Sequence, residues 1–354
     1  MNQKLSELIW SVADLLRGDY KQADYGKVIL PFTLLRRLDC VLTDTKAAVL
    51  QELALRKGMA ETAREHLLVK AAGQSFYNIS KFDLPTLTGD PQHLKENLLS
   101  YLRAFSPNAR DIFDRYKFAE QIESLDAKNL LFMVTEKFAA FDLHPKKVSN
   151  IAMGHAFEEL IRRFAELSNE TAGEHFTPRE VIHLMVNLLF LEDEKGLQKA
   201  GVVRSIYDPT AGTGGMLSVA DDHLQGMNPG AKLVMYGQEL NDESYAICKA
   251  DMLIKGQDVG NIIAGNTLSD DGHPGRKFDY MLSNPPFGVE WKKVERDVRA
   301  EHERMGHAGR FGSGLPRVSD GSLLFLLHLV SKMRPAVDGG SRIAIVLNGS
   351  PLFT

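Results

Sequence analysis

The residues best suited to chemistry are Asn284-Pro285-Pro286-Phe287. Two successive prolines stiffen the backbone and remove two N–H donors, leaving carbonyls free to act as outward-facing acceptors. An amino group on an aromatic ring is a weak nucleophile, because its lone pair is delocalised into the ring. Accepting both of its N–H groups, with the Asn284 side-chain oxygen and the Pro285 carbonyl, favours a pyramidal nitrogen whose lone pair can attack a methyl sulfonium. Phe287 then offers a face on which an extruded base can stack. Such a site needs no strong general base before attack, which suits a chain with no obvious catalytic His or Cys. The same residues can also end a strand as a plain turn.

A second segment, Asp208-Pro209-Thr210-Ala211-Gly212-Thr213-Gly214-Gly215, has the spacing of a nucleotide-type loop. Its glycines let a ligand approach the backbone where a strand gives way to a helix. It is not a dinucleotide fingerprint, which would need glycine at Leu217, and no Gly-Lys-Ser/Thr follows to make a P-loop. Asp208, Thr210, Ala211, Gly212 and Gly214 are the candidate cofactor contacts here; a tight strand-to-helix turn is the alternative. Glu239 ends the next apolar run, where an acid in such folds accepts from ribose hydroxyls. Asn266, in Gly265-Asn266-Thr267, ends a third run and could read an adenine ring, although Gly-Asn is also ordinary turn chemistry.

Positioning these residues requires a parallel sheet. From Val202 onward short apolar runs alternate with helical segments: Val203–Tyr207, Leu233–Gly237, Ile262–Ala264, Tyr280–Ser283 and Ile343–Leu347. That alternation implies parallel strands with crossover helices on both faces, and ligands on such sheets bind at the carboxyl ends of the strands. Every candidate segment falls at such an end. The first part of the chain reads differently, with apolar residues three and four apart, as in Leu8, Val12, Leu15, Leu16 and Val28, Phe32, Leu35, Leu38. Residues 1–165 are therefore expected to be a helical domain and 166–354 an α/β domain. Between them Thr177 is placed to cap a helix, with Pro178 at its first position and Glu180 closing a capping box. Val289–Arg317 lacks clean periodicity and reads as a mobile loop.

The chain has 354 residues, 44% hydrophobic and 25% charged, with two cysteines and a net charge of −4. Its length suits two domains of ordinary size. No apolar run approaches the ~20 residues of a membrane span. No signal peptide is visible, and two distant cysteines suggest neither disulfides nor a metal site, so a cytoplasmic protein is expected. The negative balance argues against a uniformly basic nucleic-acid grip. Between Lys292 and Arg317, however, seven Lys/Arg face four Asp/Glu, a local excess able to meet phosphates.

With these residues in view, the chain resembles the N6-adenine DNA methyltransferases, and specifically the modification subunits of type I restriction-modification systems. The likeness is carried by Tyr25 to Phe32 with Leu34-Leu35-Arg36-Arg37-Leu38, by Gly173-Glu174-His175-Phe176-Thr177-Pro178-Arg179-Glu180, by the glycine loop, by Asn284 to Phe287, and by Asp320-Gly321 before Phe325. The resemblance implies S-adenosyl-L-methionine as cofactor and a flipped adenine in double-stranded DNA as substrate. It implies that Glu174, His175, Phe176, Thr177, Pro178 and Arg179 wrap the methionine side of the cofactor, that Thr210 to Gly212 approach its carboxypropyl part, and that Glu239 holds its ribose. It further implies a specificity subunit that reads the sequence, a second modification subunit, and a restriction subunit in the full complex. A full sheet of this kind has seven strands, so a Rossmann-like domain lacking its last two strands is expected. Alternative functions are methylation of another planar amine, cytosine N4 or a glutamine amide, or a catalytically incompetent fragment that binds cofactor or partner.

Overall fold

A helix buried on nearly every side organises the first part of the molecule. In α1 (Tyr25–Leu42) all residues but Lys27 and Val41 are buried, so its sequence shows no polar face. Helices Gln3–Leu16, Phe118–Ala127, Leu131–Ala139 and α2 (Asn150–Ser168) pack on it. Phe32 at its centre stacks on Phe138 with ring centroids 5.2 Å apart and meets Phe118 edge-on at 4.9 Å. Burying this helix entails burying Arg36, Arg37 and Asp39, and buried charges require partners. Asp39 accepts from the Tyr101 hydroxyl at 2.6 Å, from Arg36 at 2.7 Å and from the Leu84 N–H at 3.3 Å. Arg37 donates to the carbonyls of Leu143 and Val148 and to Asn150 Oδ1.

The computed structural model describes residues 3–56, 58–168 and 177–349. They form two compact units, one of Met1–Ala172 with Lys249–Val259, the other of Gly173–Cys248 with Gly260–Thr354.

The second unit is built on five parallel strands in the order β3-β2-β1-β4-β5. They are β1 (Val203–Asp208), β2 (Lys232–Glu239), β3 (Ile262–Ala264), β4 (Tyr280–Ser283) and β5 (Arg342–Ile345). In the central register Tyr207 lies beside Tyr236 on one side and Met281 on the other. From β1 the chain proceeds outward through β2 to β3, then returns to the other side of β1 for β4. The carboxyl ends of β1 and β4 therefore flank the point where the strand order reverses, which is where ligands dock on open parallel sheets.

Strand alternation sends side chains to two covered faces. On one, Tyr207, Phe278 and Met281 pack with Leu329 and the partly buried Tyr236, Ile343 and Ile345. On the other, Tyr280 meets Phe190 edge-on at 4.8 Å. Phe190 belongs to α3 (Arg179–Leu191), which packs beside α4 (Gly215–Met227). The crossover from β2 to β3 is α5 (Asp242–Lys255). The helical amino-terminal region and Rossmann-like parallel sheet expected from the sequence are both present. Among the described residues no helix is long and apolar enough to cross a membrane.

Candidate functional site

The loop after β1 is braced by its own side chains. Asp208 is 1% exposed, and its Oδ1 accepts from the Thr210 N–H at 2.9 Å and the Thr210 hydroxyl at 3.2 Å. Burial raises its carboxyl to about 7; the Thr210 hydrogen bonds pull it down, and the nearby Glu239 charge adds to the rise. Gly212 and Gly214 have φ of +53° and +82°, which favours glycine at both. A Cβ at Gly214 would also come within 2.7 Å of Cys248 Sγ. Glu239, at the end of β2, accepts from the Gly212 N–H at 2.7 Å and from the Asn241 N–H at 2.7 Å. A carboxylate is thus tied directly to the glycine loop.

Thr210 continues the chain of contacts towards β4. Its hydroxyl lies 2.9 Å from the Ser283 hydroxyl, next to Asn284. The Asn284 Nδ2 donates to the Thr177 hydroxyl at 2.9 Å, while its Oδ1 is buried without a hydrogen-bond partner among the described residues. A buried acceptor without a partner is costly and uncommon. Pro285 is buried, and Phe287 is 40% exposed, so its ring has a free face. Ser322, held by Asp320 at 2.9 Å, also donates to the Pro286 carbonyl at 3.4 Å.

The structure therefore brings Thr177, Asp208, Thr210, Gly212, Glu239 and Asn284 into one run of neighbouring contacts. Ala211 is buried and donates its N–H to the Gln238 carbonyl at 3.0 Å. Pro178 and Arg179 are exposed at the start of α3. Asn266 Oδ1 accepts from the Leu268 N–H at 3.0 Å, the local turn that its Gly-Asn context allows. Glu174, His175 and Phe176 lie outside the described residues. The capping box expected at Thr177 does not form: the N-cap of α3 is Pro178, with no side-chain cap. A partner far off in sequence has taken the Thr177 hydroxyl.

Residues 148–354, more than half of the chain, match the family model described as N-6 DNA Methylase. The chain belongs to the N-6 DNA methylase family. Residues 5–138 match a second model, that of the HsdM N-terminal domain. The chain is similar to the methylase subunit of the type I restriction enzyme MjaIX of Methanocaldococcus jannaschii, 24% identical over 353 residues, covering 94% of this chain and 59% of the relative. It is similar to the HindI methylase subunit of Haemophilus influenzae, 27% identical over 202 residues, 56% of this chain and 40% of the relative. The chain spans about half the length of these curated relatives. It shares its fold with the crystal structure of the type I restriction-modification system methyltransferase subunit from Streptococcus thermophilus, at TM-score 0.74 and 24% identity, covering 100% of this chain and 76% of that one.

The segment following Phe287 folds into a helix and packs into a core, where a mobile loop was expected. It contains α6 (Glu295–Met305), flanked by short 3-10 turns, and its Trp291, Val298 and Phe311 join a core with Leu324 and Phe325 of α7 (Ser322–Ser331). α6 itself buries only Val298, so a hydrophobic period was not visible in the sequence. Arg310 fastens the segment down. It pairs with Glu301 at 2.6 Å and donates to the carbonyls of Thr267 at 2.6 Å and Leu268 at 3.0 Å. It also lies 3.2 Å from His328 Nδ1. Because a guanidinium only donates, His328 accepts at Nδ1 and carries its proton on Nε2, 3.0 Å from the Tyr207 hydroxyl. Burial and the Arg310 charge keep that imidazole neutral. Ser283, Thr267, Ser322 and Arg310 were not singled out from the sequence. Each has a partner tens of residues away, and the residues themselves carry no local signal of such pairing.

Proposed function

We propose that the protein transfers a methyl group from S-adenosyl-L-methionine to the N6 amine of an adenine flipped out of double-stranded DNA. The observation that carries this reading is the Asn284 oxygen at the end of β4, buried without a partner among the described residues, one residue from the Thr210–Ser283 contact that joins β4 to the glycine loop. Membership of the N-6 DNA methylase family supports the choice of amine.

The residues present fit such a donor. Gly212 and Gly214 keep the backbone bare, and Glu239 presents carboxylate oxygens beside it, near a cationic ligand. When bound, S-adenosyl-L-methionine supplies an electrophilic methyl on sulfur. Asn284 Oδ1 and the Pro285 carbonyl accept the two N6 hydrogens, so that nitrogen lone-pair density turns towards the methyl. The C–N bond forms as the S–C bond breaks, and one N6 proton leaves to water. Phe287 stacks on the extruded ring.

The reading extends to a modification subunit of a type I restriction-modification complex, with a specificity subunit, a second modification subunit and a restriction subunit as partners, in the cytoplasm. Its support is the similarity to methylase subunits of type I restriction enzymes. The test is to incubate the protein, assembled with its natural partners, with isotopically labelled S-adenosyl-L-methionine and DNA, then analyse the nucleosides by mass spectrometry. Labelled N6-methyl-2′-deoxyadenosine is expected; label on cytosine, on protein glutamine or nowhere overturns the reading.

A further inference from the structure

Residues 289–321 leave the Asn284–Phe287 turn and come back beside it. Where they close, the Gly321 N–H donates to the Val289 carbonyl at 3.0 Å and the Trp291 N–H to the Val318 carbonyl at 3.1 Å. Between these ends every N–H of the Arg310 guanidinium is used: Nε and Nη2 on Glu301, Nη2 also on the Leu268 carbonyl, and Nη1 on the Thr267 carbonyl and His328 Nδ1. Two of these partners lead on to the glycine loop. The Thr267 hydroxyl donates to the Pro209 carbonyl at 2.6 Å, and His328 Nε2 lies 3.0 Å from the Tyr207 hydroxyl. Tyr207 and Pro209 are the neighbours of Asp208 on either side. One side chain thus joins the segment that follows Phe287 to both flanks of the loop after β1.

We infer that Arg310 is a positioning residue for methyl transfer, which fixes the Phe287 side of the site relative to the glycine loop and touches neither substrate nor cofactor. The inference rests on the proposed reaction, with the base on Phe287 and the donor at the glycine loop. Attack of an amine on a sulfur-bound methyl needs both in line, and a misplacement of about 1 Å can cost about 10²-fold in rate. The sheet and the Thr210–Ser283 contact place Asn284. Phe287 lies past the end of β4, where the strand ladder no longer holds the chain, so the segment that follows governs its ring. Arginine suits this task because its planar fork serves a carboxylate, carbonyls and an imidazole together; a lysine ammonium is a compact donor and cannot span them. The apolar core of Trp291, Val298 and Phe311 with Leu324 and Phe325 does not depend on that fork. Without Arg310 the segment stays folded and loses its register.

The test uses R310K and T267V in the intact methylase assembled with its natural partners. R310K is expected to lower kcat by about 10- to 100-fold. Its Kd for S-adenosyl-L-methionine, by calorimetry, should stay within about threefold, because Glu239 and the Asp208–Thr210 contacts still brace the glycine loop. T267V removes the link to Pro209 alone and should lower kcat less. The double variant should be little slower than R310K, since groups acting through one another are non-additive. Hydrogen exchange read by mass spectrometry is independent of turnover: in R310K the amides of residues 289–321 should exchange about tenfold faster or more, and those of β1 and β4 at the wild-type rate. Four results overturn the inference: unchanged kcat in R310K, a Kd for S-adenosyl-L-methionine that weakens in step with kcat, losses that multiply in the double variant, or unchanged exchange across residues 289–321. If the wild type methylates cytosine or a glutamine and R310K slows that transfer in the same way, the proposed substrate fails and the role of Arg310 stands.

Discussion

Asp39 in the helical unit and Asn284 in the sheet unit both carry buried side-chain oxygens, and the two are treated in opposite ways. Asp39 is saturated, with a phenol, a guanidinium and a backbone N–H directed at its carboxylate. Asn284 is satisfied at its nitrogen and left open at its oxygen. The first arrangement is what stability demands of a buried polar group, because an unmet acceptor costs about 1–3 kcal/mol. The second accepts that cost at a strand end where a ligand's donor can relieve it. A saturated group marks architecture, and an open one beside a glycine loop marks chemistry.

Substitution can break this contrast. The largest effect is expected for Asn284→Ala, which should reduce methyl transfer by about 10²–10³-fold or more, the range for deleting one placed polar group at a reacting centre. Its affinity for S-adenosyl-L-methionine and its melting temperature should barely change. Transfer at the wild-type rate would show that the open oxygen is not used. Asp39→Ala should act in the reverse sense. It strips Arg36 and Tyr101 of a buried partner and should cost about 3 kcal/mol of stability in a denaturant titration. Per folded molecule its turnover should match wild type, and a selective loss of kcat would undo the division between the two regions.

The smallest effect is a pH dependence at Asp208. Its folded carboxyl titrates near 7 against an ordinary value of 3.8, so between these values the folded chain holds a proton that the unfolded chain has released. Stability from this group therefore falls as pH rises from about 4 to about 7, and the penalty is complete above that. Denaturation midpoints for wild type and D208N at about pH 5 and about pH 8 should diverge, with the wild type losing more on going to the higher pH. Parallel shifts in the two proteins would remove Asp208 as the source.

Much of the fold was legible because its signals are local. The runs that became β1 to β4 could be read from short stretches of sequence, and the segments at Asp208 and Asn284 sit at their carboxyl ends because parallel strands leave little other room for them. β5 was expected over Ile343–Leu347 and is observed over Arg342–Ile345. What was lost depends on distance or on competing uses of a residue. Thr177-Pro178-Arg179-Glu180 reads as a capping box, yet only Asn284, brought close by folding, reveals where the hydroxyl goes. Val289–Arg317 reads as a loop since its anchors, Trp291, Val298, Arg310 and Phe311, are too widely spaced to make a period. Asn266 admitted two readings, and its Oδ1 accepts the Leu268 N–H of a local turn, a contact that speaks to the turn alone.

Glu239 has one further consequence. A glutamate free in solution gives up as much as about 1.5–2 kcal/mol of rotamer entropy when it is fixed. Here the N–H groups of Gly212 and Asn241 have fixed it already, one on each oxygen. Any hydroxyl that docks against this carboxylate meets an acceptor with little freedom left to lose. The site is preorganised at that point, and the ordering cost falls on folding and not on binding.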